Sequence, residues 1–339
     1  MEATRILIIG GGVAGASVSY FAARAGWDVT VIDAGQSRAS DVPSALLNPV
    51  RGQSGQVEPR SLAGLHLSWA LVRQLSALGY PVVHEQRGIL RPLANDLARS
   101  KFERHLPPEL AHRWLRPDEA PLPLASGWPH LLAVEQGGWL SGPSFVAALL
   151  AASGARVVSS RVTAWTARSA TLESGELLTA EVVVWCGGSV GASWGGGSGP
   201  GHAAHTHRAG TVLLLPETPV AVPASAGVYL APTLGADGRR GGLLGATFEA
   251  PTGQYTASGP PLKSLHWLLT RAADLSTDLS PTVGGLWSGS RLSGERAGLQ
   301  PGGWWALAGL GSKGFLLGPL LARQLVEAIS TRTLSSPGK

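Results

Sequence analysis

The most regular pattern of apolar positions stands at the front of the chain. Arg5-Ile-Leu-Ile-Ile9 is a short apolar run rich in β-branched residues, the pattern of a strand buried on both faces. Gly10-Gly-Gly-Val-Ala-Gly15 follows directly, and residues 14–25 then repeat Val18, Phe21, Ala22 and Ala25 at helical spacing. Gly26 stops that helix, and Asp28-Val-Thr-Val-Ile32 predicts a second strand ending in Asp33. The far end of the chain carries a related pattern. Gly303-Trp-Trp-Ala-Leu-Ala-Gly309 predicts a strand, and Gly309-Leu-Gly-Ser-Lys-Gly314 opens a helix. Leu316, Leu317, Leu320, Leu321, Leu325, Ala328 and Ile329 form its apolar side, with Arg323 and Glu327 opposite. Between these ends, Ala180-Glu-Val-Val-Val-Trp-Cys-Gly-Gly188 predicts a buried strand, and the proline-rich stretch 107–129 reads as a loop or linker. No stretch reaches the roughly 20 uninterrupted apolar residues of a membrane span. The longest candidate, 304–329, is broken by Lys313 and several glycines.

Composition narrows the class. With 339 residues, 44% hydrophobic and 14% charged, the chain is neither disordered nor collagen-like, and it is long enough for two domains or one large one. A net charge of +5 and a pI of 9.8 invite a nucleic-acid reading. Against it, the only lysines are Lys101, Lys263, Lys313 and Lys339, and the arginines are spread rather than clustered. The single cysteine, Cys186, excludes an internal disulfide and a multi-thiolate metal site, and fits a reducing compartment. Ile6–Ile9 is too short for a signal-peptide core, so the expectation is a cytoplasmic protein without a membrane partner.

The chemistry begins at the first glycine run. Gly10 permits a tight turn, Gly12 lets the backbone approach a pyrophosphate, and Gly15 allows close helix–strand packing, while the helix N-terminus offers N–H groups to the phosphates. Asp33 stands 23 residues after Gly10, where a carboxylate accepts from a ribose 2′-OH. Strand, glycines, helix, strand and acid in register indicate a dinucleotide; the plain alternative is a glycine-rich turn without a ligand. The second glycine turn favours FAD over NAD. Reduced flavin carries negative charge at its N1–C2=O edge, which a helix N-terminus and Lys313 would stabilise.

Four segments carry a family resemblance: the N-terminal fingerprint, Ala180–Gly188, Gly241-Gly-Leu-Leu-Gly-Ala-Thr-Phe-Glu249, and Gly309-Leu-Gly-Ser-Lys-Gly-Phe-Leu-Leu-Gly-Pro319. Their order resembles the FAD-dependent D-amino-acid oxidase and glycine oxidase superfamily, in patches from about residue 5 to residue 329. Ala45-Leu-Leu-Asn-Pro49, Gly137-Gly-Trp-Leu140 with Pro143, Gly245-Ala-Thr247 and Gly311-Ser-Lys-Gly314 are similar in wording to the FAD-dependent oxidoreductase domain of the bifunctional tRNA methylaminomethyl-uridine biosynthesis enzyme. Nothing resembling that enzyme's methyltransferase domain is present.

The resemblance implies an α/β (α+β overall) architecture. A Rossmann-like FAD-binding domain of the glutathione-reductase type, from 1–75, 137–208 and 284–339, would be interleaved with a smaller antiparallel-sheet substrate domain from 76–136 and 209–283. It further implies that Gly10, Gly12, Val13, Ala14 and Gly15 hold the FAD pyrophosphate, and that Asp33 with Ala34 holds the adenosine ribose. The family usually has Glu where Asp33 stands. Leu46, Leu47 and Asn48 would run beside the isoalloxazine, and Val162 would meet the adenine through its backbone. Cys186, Gly187 and Gly188 would form a second close approach. Gly309, Gly311, Ser312, Lys313, Gly314 and Phe315 would face the flavin pyrimidine. The Cys186 side chain itself reads as core filler rather than a redox or covalent-flavin group.

For the substrate, the resemblance implies a carboxylate clamp. The family arginine stands in Gly-Leu-Arg-Pro; Gly289-Ser-Arg291-Leu matches in part, without the proline, and Glu295-Arg296-Ala-Gly-Leu-Gln-Pro301 replaces the usual downstream segment. A planar guanidinium suits a carboxylate. Tyr229, in Val-Tyr-Leu-Ala-Pro232, aligns with a substrate-binding tyrosine, its alternative being ordinary aromatic packing. Lys313 and Lys263 are candidates for placing positive charge near the flavin during reaction with O2. The implied activity is hydride removal from the carbon beside the amine nitrogen of a small amino acid or amine, giving an imine and hydrogen peroxide, with no side-chain base. Two alternatives stand beside it: oxidation of a modified tRNA wobble uridine, for which the basic pI speaks, and a flavoprotein without amine oxidase activity. Arg208-Ala-Gly210 resembles the Arg-Gly that leads into the family's substrate domain. His202, His205 and His207 are the only local histidine cluster, but no carboxylate or cysteine accompanies them, and the expectation is no metal site.

Overall fold

A computed structural model describes residues 3–334 apart from 37, 51, 123, 126, 195–205, 219, 236, 254, 256–258 and 277–281. The chain opens with β1 (Arg5–Ile9), α1 (Val13–Arg24) and β2 (Asp28–Asp33). Gly26, at φ +81°, turns α1 into β2, a conformation without steric cost for glycine. A 3-10 turn at Ala39–Asp41 and β3 (Ala45–Leu47) lead to α2 (Pro59–Ala77), which begins on a proline whose missing N–H costs nothing in a first turn. Next come β4 (His84–Glu85), β5 (Ile89–Leu93), α3 (Asp96–His105), β6 (His112–Leu115), β7 (His130–Val134), β8 (Gly138–Leu140), α4 (Gly142–Ser153) and β9 (Arg156–Ser159). The central part contains β10 (Val162–Trp165), β11 (Ser169–Leu172), β12 (Leu177–Thr179), β13 (Val182–Trp185) and the short α5 (Gly188–Trp194). The rest comprises β14 (Thr206–Leu215), β15 (Ala224–Ala226), β16 (Val228–Leu234), β17 (Arg240–Gly245), α6 (Leu262–Leu275), β18 (Gly285–Leu299), β19 (Trp305–Leu310) and α7 (Gly314–Leu334).

Thirteen strands form one mixed sheet in the order β6-β7-β5-β15-β16-β17-β14-β18-β19-β13-β1-β2-β9. From β19 to β9 the neighbours are parallel. From β18 to β6 they are antiparallel except at β5 and β15. Both faces of β1 are buried, as its unbroken apolar run predicts. Ile6 and Ile8 pack with Val18 of α1 and Leu325 of α7, while Leu7 and Ile9 pack with Trp185, Trp304 and the β10–β12 sheet. On the antiparallel side, α6 covers one face through Leu268, Ala272 and Leu275. On the opposite face Leu93, Leu132 and Val134 share a core with Leu65 and Leu71 of α2, Phe145 of α4 and Leu316 of α7.

Two readings shift at their edges. The stretch 107–129 is not all loop: His112–Leu115 is the sheet's edge strand, because Trp114 and Leu115 pair with Leu132 and Leu131. The C-terminal strand runs one residue past Gly309, through Leu310, before a 3-10 turn at Gly311–Lys313 leads into α7. The boundaries at 75/76 and 208/209 fall inside α2 and β14. β14 is hydrogen-bonded to β18 from the Thr206–Ser293 pair to the Leu214–Gly285 pair, so the strands of both proposed regions share one ladder.

Candidate active site

A cavity of about 1000 Å³ runs from the C-terminal ends of β1 and β2 to the open face of the antiparallel strands. Its floor is the first glycine turn. Gly10 has φ +104°, and a Cβ there would stand 2.6 Å from the Cys186 carbonyl oxygen, so the close passage of the two strand ends requires glycine. Gly12, Val13 and Ala14 line the cavity at the start of α1. A Cβ on Gly12 would meet only Ser40 Oγ, at 3.2 Å, so the space above it is open. Gly15 lies off the cavity: a Cβ there would collide with the Gly10 carbonyl oxygen, which makes it a packing glycine rather than a ligand contact.

Asp33 ends β2 at the cavity wall beside Ala34. Its carboxylate accepts from Arg38 Nη1 at 3.0 Å, and the same nitrogen donates to the Gly11 carbonyl at 3.1 Å. Arg38 therefore fixes both the acid and the glycine turn. Ser40 does the same for α1, its Oγ accepting the Val13 N–H at 2.9 Å, one of the helix-start donors that has no intrahelical partner. Val162 lines the far end with Trp165 and Trp185. The last two rings are stacked 6.2 Å apart at 12°, and Trp165 Nε1 is buried without a partner.

The second glycine turn sits alongside the first. Gly314 at the start of α7 packs near Val13 of α1, so two helix N-termini converge on one cavity and bias it toward anionic groups. Gly309, Gly311, Ser312, Lys313 and Phe315 line this end. Lys313 Nζ is not directed freely at the cavity: it pairs with Glu58 Oε2 at 3.3 Å and contacts Ser61 Oγ at 3.4 Å. Arg60 and Lys313 together hold the Glu58 carboxyl below its ordinary pKa. Leu46 and Asn48 face the cavity while Leu47 between them is fully buried in the core, as strand alternation requires. Of the three residues expected beside the isoalloxazine, Leu47 alone does not line the cavity. Gly187 and Gly188 also line the cavity. The Cys186 thiol is buried in the core, which pushes its pKa up to about 12.

Tyr229 and Arg291 come together on the open sheet face. The Arg291 guanidinium lies over the Phe248 ring, 5.1 Å from its centroid, and Nη2 is buried without a hydrogen-bond partner. Burial lowers the Arg291 pKa; Tyr229 opposes that shift and Arg208 adds to it. Burial pushes the Tyr229 phenol up to about 12, against the pull of Arg291. Space for the pair comes from glycines: a Cβ on Gly210 would stand 3.2 Å from Arg291 Nη2, and one on Gly245 would stand 3.2 Å from the Tyr229 ring. Lys263 is exposed on α6 and lies off the cavity. His207 is buried, its Nδ1 2.7 Å from Ser189 Oγ, which in turn lies 2.6 Å from Ser290 Oγ. His202 and His205 lie outside the described residues. Among the described residues no group of three His, Cys, Asp or Glu side chains is arranged to hold a metal, and no helix is long and apolar enough to cross a membrane.

The sequence reading missed Arg38, Ser40, Trp165, Trp185 and Arg91. Arg38 and Ser40 act through neighbours rather than through a motif, and the two tryptophans meet only because β10 folds over β13. Arg91 had a visible signal: one arginine inside the apolar run Gly88-Ile-Leu-Arg-Pro-Leu93.

A profile of the family described as FAD dependent oxidoreductase (DAO) matches residues 5–328. The chain belongs to the DAO family of FAD-dependent oxidoreductases. It is 32% identical over 190 residues to the tRNA 5-methylaminomethyl-2-thiouridine biosynthesis bifunctional protein MnmC of Azoarcus sp. (strain BH72), a match covering 49% of this chain and 29% of that protein. Among solved structures, glycine oxidase from Geobacillus kaustophilus superposes with a TM-score of 0.80 at 24% identity, covering 96% of this chain and 95% of that one. Iminodiacetate oxidase (IdaA) from Chelativorans sp. BNC1 superposes with a TM-score of 0.81 at 20% identity, covering 99% and 96%. At these identities the likeness concerns the fold. The FAD of this DAO family fits the residues present: an open cradle above Gly12, two converging helix N-termini, and the unpartnered Trp165 Nε1 at the far end of the cavity.

Proposed function

We propose that this DAO-family protein is an oxidase of small amino acids or amines, taking a hydride from the carbon beside the amine nitrogen and yielding an imine and hydrogen peroxide. The observation that carries this reading is the Arg291 guanidinium, held in the cavity beside Tyr229 with a buried nitrogen that lacks a partner. A buried, unpaired charge costs several kcal/mol unless an anion meets it, and a substrate carboxylate is such an anion. Arg291 binds and orients that carboxylate. Tyr229, kept protonated by burial, donates a second hydrogen bond to it. Phe248 and Trp287 line the same end and give it an apolar wall.

In the cradle, Gly10, Gly12, Val13 and Ala14 would hold the pyrophosphate, and Asp33, steadied by Arg38, the ribose. Val162 would lie against the adenine, and residues 309–315 against the flavin pyrimidine. When bound, FAD supplies the acceptor for the substrate's hydride and passes the electrons to O2. In this reading 1–75, 137–208 and 284–339 serve the cofactor, while 76–136 and 209–283 roof the substrate. The relatives named MnmC keep a second reading in view, oxidation of a modified tRNA side chain. That reading requires salt-sensitive tRNA binding with a steep slope.

The deciding experiment is anaerobic titration of the purified yellow protein with glycine, sarcosine, proline and D-amino acids, followed by peroxide measurement in air. Bleaching of the flavin by one of these amines supports the oxidase reading. Bleaching by none of them refutes it.

A further inference from the structure

Lys313 does not bring its charge to the cavity alone. It stands on the turn before α7 and lines the cavity with Glu58, Arg60 and Glu295. Its Nζ donates to Glu58 Oε2 at 3.3 Å and to Ser61 Oγ at 3.4 Å. Glu58 Oε2 also accepts from Arg60 Nε at 3.3 Å, and Arg60 Nη1 donates to both Glu295 carboxylate oxygens, at 2.8 and 2.9 Å. Charges of alternating sign thus run from the turn before α7, through the start of α2, to β18. Among the described residues no other carboxylate pairs with Lys313.

The packing of two helices imposes the pairing of Lys313 with Glu58. A Cβ on Gly64 of α2 would collide with the Leu316 carbonyl oxygen, and Ser68 Oγ donates to the Phe315 carbonyl at 2.9 Å. The starts of α2 and α7 therefore lie side by side, at a separation that a side chain at 64 would prevent. Glu58 is the N-cap residue of α2, yet its side chain caps no helix N–H, the usual task of an N-cap side chain. Its carboxylate is turned to the two cations instead, which hold it below its ordinary pKa and so ionised at neutral pH. Lys313 and Glu58 are both partly buried, where an ion pair is screened less than in open solvent.

We propose that Glu58 is a positioning residue: it holds the Lys313 ammonium at the cavity wall and cancels its charge there, and so sets how readily bound FAD accepts negative charge. This rests on the reading above that residues 309–315 lie against the flavin pyrimidine, and names what restrains the cation of that segment.

The test uses the FAD-loaded protein and two readouts other than turnover. One is the affinity for sulfite, whose addition to oxidised flavin leaves a negative charge on the ring and bleaches it; the other is the midpoint potential of the flavin. Glu58→Gln leaves Arg60 paired with Glu295. It is expected to bind sulfite about threefold or more tighter and to raise the potential, as one uncompensated charge in a partly exposed wall implies. Lys313→Met is expected to bind sulfite about threefold or more weaker and to lower the potential. The double variant, with both charges gone, returns close to the unaltered protein. Glu58→Asp, which keeps the charge but draws it back from Nζ, falls between Glu58→Gln and the unaltered protein. Unchanged or weaker sulfite binding in Glu58→Gln, with weaker binding in Lys313→Met, overturns the role of Glu58 and leaves 309–315 at the flavin. No change in either variant sinks that placement and the proposal together. A double variant that keeps the full tightening of Glu58→Gln also overturns the proposal, since Glu58 then acts through a group other than Lys313. If Glu58→Gln does not hold FAD, Glu58→Asp decides: tighter sulfite binding supports the proposal, and unchanged or weaker binding overturns it.

Discussion

Replacing Arg291 by methionine removes the guanidinium while keeping an unbranched chain that still lies against Phe248. A charge-assisted hydrogen bond contributes about 1.5–3 kcal/mol, so KM for a carboxylate-bearing amine should rise about tenfold to a hundredfold. Stability should move the other way. In the substrate-free protein the Arg291 Nη2 is buried without a partner, and methionine relieves that desolvation, so the thermal midpoint holds or rises. The assay compares an amino acid with the amine of the same skeleton lacking the carboxylate, in both proteins, and sets the KM values beside melting curves of the FAD-loaded forms. Only the carboxylate substrate should lose affinity. A change below about threefold, an equal loss for both substrates, or a fall in midpoint with loss of flavin would each refute the assignment of Arg291 as a clamp, since a clamp contributes well over one kcal/mol.

Three further outcomes follow from the geometry. Gly12→Val should fold yet fail to hold FAD, because its side chain enters open cradle space, whereas Gly15→Val should fail to fold through collision with the Gly10 carbonyl; circular dichroism and flavin content separate the two, and a yellow Gly12→Val protein would contradict the cradle. The Tyr229 phenol, raised to about 12 from an unfolded value near 10, favours the native state below that unfolded value, and the contribution is lost as pH rises through the folded one; a phenolate absorbance step near pH 10 that disappears in Tyr229→Phe would count against it. Cys186, at about 12, should resist iodoacetamide at about pH 8 until the protein unfolds, and rapid labelling of the native protein would place the thiol outside the core.

The β1–α1–β2 unit was legible because period and punctuation agree there: an unbroken apolar run, glycines at the turn, helical spacing, then a strand closing on Asp33. The same agreement exposed β19 and α7. What escaped depends on facing and pairing. Leu46 and Asn48 reach the cavity and Leu47 does not, a distinction that needs the knowledge that 45–47 is a strand with its outer neighbour defined. Arg38 matters through its bonds to Asp33 and Gly11, which no spacing announces. The tryptophans at 165 and 185 sit on separate strands that only tertiary folding stacks. Arg91 was visible as a lone charge among apolar residues, but its place at the cavity wall depends on the non-local parallel pairing of β5 with β15.

The continuous ladder between β14 and β18 has a consequence for how such a protein can change over time. In the proposed division, cofactor cradle and substrate roof are not beads on a linker: the pairs from Thr206–Ser293 to Leu214–Gly285 join them, and Arg291 lies within that seam. A graft that brought in a foreign roof would have to match its register residue for residue, since a slip of one position turns every side chain to the opposite face. In the proposed reading, a change of substrate comes from single side chains on the existing face, such as those at 229 and 291, rather than from exchanged modules.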